Sequence, residues 1–92
     1  EPLPYAILEA MFVGTIPVAS RVGGVPEIIS GTPAEELMFP PGDYNRLVES
    51  IEKVLSLSPS KLVTISRELR ATMKERFDNT GVSEHFIKFL NV

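Results

Sequence analysis

The sequence predicts an α/β fold that is incomplete as a domain: a short parallel sheet with flanking helices. Three observations carry that expectation. Two short β-rich runs are bounded by glycine and proline, a helical segment joins them, and the helices carry more apolar surface than two strands can cover. Two strands joined through a helix imply a right-handed parallel crossover. Parallel strands need cover on both faces and several neighbours, so a two-stranded sheet does not stand alone. The 92 residues are therefore expected to be about half of a larger α/β domain.

The elements follow in order. Tyr5 to Val13, YAILEAMFV, is apolar everywhere except Glu9. Pro4 suits the first position of a helix and Gly14 the residue just past its end. Such a helix is expected to be buried on most sides. Ile16 to Ser20, between Gly14 and the Gly23-Gly24 pair, reads as a buried strand with Pro17 near its start. Pro26 opens a helix of one or two turns, closed by Gly31. Glu36 to Phe39 is the second strand, ended by Pro40-Pro41-Gly42. Asp43 then caps an amphipathic helix with Tyr44, Leu47, Val48, Ile51, Val54 and Leu55 at helical spacing. Ser58 caps the next, with Pro59 at its first position and Leu62, Ile65, Leu69 and Met73 as its stripe. A last helix is expected over Thr80 to Leu90, with Val82, Phe86, Phe89 and Leu90 on one face.

Composition closes several doors. A chain this short buries only roughly 60–65% of its unfolded surface. With 43% hydrophobic and 23% charged residues it is globular rather than disordered. It has no cysteine, which excludes disulfides, iron–sulfur clusters and a thiol nucleophile. A single histidine, His85, argues against a histidine metal cluster or a Ser-His-Asp triad. A net charge of −3 supplies no basic patch for nucleic acid. No apolar run approaches the roughly 20 residues of a membrane span. The first residues also lack a signal-peptide layout, so a cytoplasmic location is expected. Glu1 stands where a starting Met would be, which reads as a cut or processed end.

The chemistry concentrates at Glu1 and Glu9, which have seven residues between them. If a helix starts near Pro4, Glu1 lies on the loop before it and Glu9 in its second turn. Both carboxylates can then border one cleft. The amides of Tyr5 and Ala6, with the helix dipole, make an anion site suited to phosphate. A carboxylate farther along accepts hydrogen bonds from sugar or ribose hydroxyls. The bland alternative for Glu9 is a charge on the solvent side of a core helix, and for Glu1 a plain surface charge. SRVGGVPEII, Ser20 to Ile29, has the layout of a phosphate-approaching loop, but a tight turn uses paired glycine as readily. It is not the GxGxxG fingerprint. PPGD, Pro40 to Asp43, reads as a turn and an N-cap. Lys53, Lys61, Arg67, Arg70, Lys74 and Arg76, mixed with glutamates, read as an ordinary solvated face.

The stretch EPLPYAILEAMFVGTIPVASRVGGVPEIISG, followed by ELMFPPGD, resembles the carboxyl-terminal part of a GT-B glycosyltransferase of the family 4 type, the glycosyl transferases group 1. The shared elements are the E-x7-E pair, the EAM…G…P turn, the VGG-x-PEII loop and the PPGD turn. They fill about the first half of the chain in the usual order; the later helices carry no diagnostic motif.

This resemblance implies a Rossmann-like sheet and a retaining transfer of sugar from a nucleotide-diphosphate donor to an acceptor hydroxyl. It assigns Glu1 to the catalytic centre, beside the donor sugar, and Glu9 to the ribose hydroxyls. It assigns Leu3, Pro4, Tyr5 and Ala6 to the loop that touches the diphosphate. It implies no bound metal and no cofactor, the nucleotide sugar being substrate. The family usually has glycine where Pro4 stands, and proline removes one donor from that loop.

On this reading residues 1–92 are the carboxyl-terminal fragment of a nucleotide-sugar-binding domain. The fragment is inactive alone, and its partner is the missing amino-terminal portion of the same enzyme. Two other readings stay open: a free-standing module that pairs its exposed sheet edge with another copy, and a nucleotide-binding domain without chemistry.

Overall fold

The computed structural model describes residues 5–77. The first helix, α1 (Tyr5–Phe12), holds Leu8 and Met11 fully buried. Its other face is in solvent: Tyr5, Ala6 and Glu9 are exposed. The expectation of a helix buried on most sides is therefore corrected to a two-faced helix. Its end is a Schellman motif. The Gly14 amide donates to Met11 O at 3.1 Å and the Thr15 amide to Ala10 O at 2.8 Å. Gly14 sits at φ +85°, and a Cβ there would run into the Ser66 hydroxyl. Glycine is required here on both counts.

The predicted parallel sheet is absent: no strand forms among the described residues. Ile16 to Ala19 is irregular, and Ser20 and Phe39 make a single isolated parallel bridge. Its bonds run from the Phe39 amide to Ala19 O at 3.1 Å and from the Arg21 amide to Phe39 O at 2.8 Å. The ladder stops for want of donors. In this register the next donor is Pro41, which has no N–H. The previous one is Leu37, whose amide already bonds Ala34 O at 3.0 Å. Glu35–Leu37 is a turn of 3₁₀ helix rather than a strand. The sheet edge expected as a self-pairing surface is absent with the sheet.

The remaining helices among the described residues form where predicted, though not all are covered as predicted. α2 (Val25–Ile29) has proline in its first turn. Behind it the buried Thr32 hydroxyl donates to Ile29 O at 2.7 Å and accepts from the Ala34 amide at 3.2 Å. α3 (Tyr44–Leu55) is capped by Asp43, whose Oδ1 accepts from the Arg46 amide at 3.1 Å. α4 (Pro59–Phe77) starts with the Ser58 hydroxyl accepting from the Lys61 amide at 3.2 Å.

The core lies where α1 packs against α4 and α2 closes over them. Leu8, Met11, Ile28, Ile29, Leu69 and Met73 are fully buried. Arg76, in the last turn of α4, ties α2 to this core by donating from Nη1 to Ile28 O at 3.0 Å. α3 behaves differently: Tyr44, Val48, Ile51 and Leu55 of its apolar stripe are exposed. No helix among the described residues is long and apolar enough to cross a membrane. The helix expected over Thr80 to Leu90, with His85, lies outside the described residues.

Candidate functional site

Glu1, Leu3 and Pro4 lie outside the described residues, so the structure speaks to Tyr5, Ala6 and Glu9. All three belong to α1 and all three are exposed. Glu9 is four residues after Tyr5 and three after Ala6, which puts it on their face, one turn along. The separation along the axis is roughly 6 Å from Tyr5 at 1.5 Å per residue. α1 is described from Tyr5 onward, so Tyr5 and Ala6 lie at the amino-terminal end of its described residues.

This arrangement has a positive end and an acceptor on one face. The α1 dipole favours an anion toward the amino-terminal end of the helix. The Glu9 carboxylate forms no ion pair with any described residue and stands in solvent, free to accept hydrogen bonds from hydroxyl groups. Its exposure removes the desolvation cost that a carboxylate among apolar neighbours would carry. The same exposure agrees with the bland account of Glu9 as a solvated surface charge.

The glycine pair has a conformational explanation. The Val22 amide donates to Ser20 O at 2.9 Å and the Val25 amide to Val22 O at 3.0 Å, a tight turn leading into α2. Gly23 takes φ +51° at its centre, a left-handed conformation that glycine adopts without a steric penalty. PPGD is also a turn, closed by the Asp43 amide on Pro40 O at 3.1 Å, and its aspartate is the cap of α3. Among the described residues no group of three or more His, Cys, Asp or Glu side chains is placed to hold a metal ion.

Two features escape the sequence. Arg76 reaches a carbonyl 48 residues earlier in the chain, and no local signal marks that partner. Arg67 and Arg70 border a groove at the far end of α1 rather than an undifferentiated surface. Their spacing on one helix face is the available signal, but it does not reveal what lies opposite.

Residues 1–87 match the family model of the glycosyl transferases group 1, and the chain belongs to that family. The chain is also similar to a phosphatidylinositol N-acetylglucosaminyltransferase subunit of Arabidopsis thaliana. The two are 40% identical over 60 residues, which is 65% of this chain and 13% of that protein. The match thus spans only a small part of that relative's length. No solved structure matches the chain.

Proposed function

We propose that this chain supplies the donor-binding half of a retaining glycosyltransferase, as a carboxyl-terminal portion of the nucleotide-sugar-binding domain of a GT-B enzyme. In the reaction the bond from the sugar's anomeric carbon to the diphosphate breaks, and the diphosphate leaves with the electron pair. A bond to the acceptor oxygen forms with the configuration kept, and the proton of the acceptor hydroxyl passes to the departing diphosphate. The first-turn amides of α1 and its dipole meet the charge growing on the leaving diphosphate. Leu3, Pro4, Tyr5 and Ala6 lie beside that diphosphate, Tyr5 and Ala6 from the described end of α1. Glu9 accepts hydrogen bonds from the ribose hydroxyls, and Glu1 lies by the donor sugar and stabilises charge at the reacting centre. Turnover requires the acceptor-binding portion of the enzyme, so the chain alone is inactive.

The observation that carries this reading is the E-x7-E spacing inside the family match, with Glu9 exposed on the face that begins at Tyr5 and Ala6. The relative's name supports sugar transfer as the chemistry. The test is a sugar-transfer assay, over UDP-, GDP- and ADP-sugars, on a polypeptide that joins this chain to an acceptor-binding domain. Glu9→Ala is expected to lower kcat/KM roughly tenfold to hundredfold, the loss of hydrogen bonds to a charged group. Unchanged kcat/KM in that variant removes the assigned role.

A further inference from the structure

A groove of about 530 Å³ opens at the far end of α1 from the site above, against α4 and the end of α3. Gly14, Ile16, Leu62, Ser66, Arg67 and Arg70 are among its walls, and none of its lining residues carries a carboxylate. On a chain of net charge −3 this is a local reversal of sign. Arg67 and Arg70 are exposed, and neither guanidinium is paired with a described residue. Three residues apart on a helix, they share one face. The stem of Arg70 lies over Gly14, where a Cβ would come within 3.2 Å of its Cδ.

The rim is apolar as well as basic. Val63, a wall residue, is exposed, and Ile16, Val54 and Leu62 are further apolar walls. The partial negative charge at the carboxyl end of α1 accounts for one nearby cation. It does not account for a second arginine, the lack of any carboxylate in the lining and the exposed Val63. A small free anion leaves the apolar rim unexplained, and a purely apolar partner leaves the two guanidinium groups unexplained. An anionic headgroup above apolar chains matches both.

We propose that this groove docks on the surface of a bilayer containing anionic phospholipid, with Arg67 and Arg70 on the headgroup and Val63 at the acyl boundary. The proposal is independent of the donor-binding reading of Glu9. The test is co-sedimentation of the 92-residue chain with vesicles of phosphatidylcholine alone and of phosphatidylcholine mixed with phosphatidylserine. Binding is expected to the mixed vesicles only, and to fall away at high salt, a readout that needs no substitution. Arg67→Gln with Arg70→Gln is expected to weaken it roughly tenfold or more. Arg67→Lys with Arg70→Lys restores it, and Arg46→Gln on α3 leaves it unchanged.

Equal binding to neutral vesicles, or binding that survives the double glutamine substitution, overturns the proposal. So does an absence of binding to mixed vesicles at low salt. Inorganic phosphate that shifts the Ser66 and Arg70 amides without any vesicle association assigns the groove to a free anion and equally overturns it.

Discussion

α3 and α4 read alike in the sequence, each with apolar residues at helical spacing, yet they meet different surroundings. On α4, Leu69 and Met73 are fully buried against Leu8 and Met11 of α1 and the isoleucines of α2. On α3, Tyr44 is 77% exposed and Leu55 78%, and only Leu47 and Val54 of its stripe are half-covered. Periodicity identifies the face that is apolar; it does not supply what covers that face. The described core is therefore one-sided, with its cohesion in the α1–α2–α4 contact.

That contrast can be broken or sharpened by substitution, read as unfolding free energy from urea titration. Leu69→Ala and Met73→Ala each remove a fully buried side chain and should cost about 2–5 kcal/mol. Gly14→Ala should cost about 1–2 kcal/mol or more, because the left-handed backbone disfavours a Cβ and the Ser66 hydroxyl occupies its place. Asp43→Ala removes the acceptor for the Arg46 amide and should cost about 1 kcal/mol. Leu55→Ala, on the exposed stripe, should change stability by less than about 0.5 kcal/mol. A cost at Leu55 as large as that at Leu69 would show that α3 has an apolar partner and that the contrast is false.

Much of the helical fold is legible in the sequence because its signals are local. Asp43 and Ser58 cap the helices that follow them, as expected, and Gly14 ends α1 through the conformation that glycine permits. The sheet reads wrongly for a reason also present in the sequence but harder to weigh. Pro41 withholds a donor from the ladder, and the local turn at Thr32 to Leu37 takes the amides that a strand at Glu36 to Phe39 would need. β-rich composition marks residues that suit a strand, while donors and neighbours decide whether one forms.

The candidate site is legible only as spacing. E-x7-E fixes Glu9 in the second turn of α1, and the structure adds that Glu9 is exposed and shares a face with Tyr5 and Ala6. The arginine groove is illegible because Gly14 and Arg70 are brought together only by the packing of α1 on α4.

The decisive measurement is a nuclear magnetic resonance titration of the chain with UDP, GDP and ADP, followed at individual amides. Donor binding at the start of α1 predicts shifts at Tyr5, Ala6 and Glu9 with at least one nucleotide, weakened roughly tenfold or more by Glu9→Ala. No shift with any of the three at millimolar concentration would contradict it. Shifts centred on Ser66 and Arg70 that persist in Glu9→Ala would contradict it too.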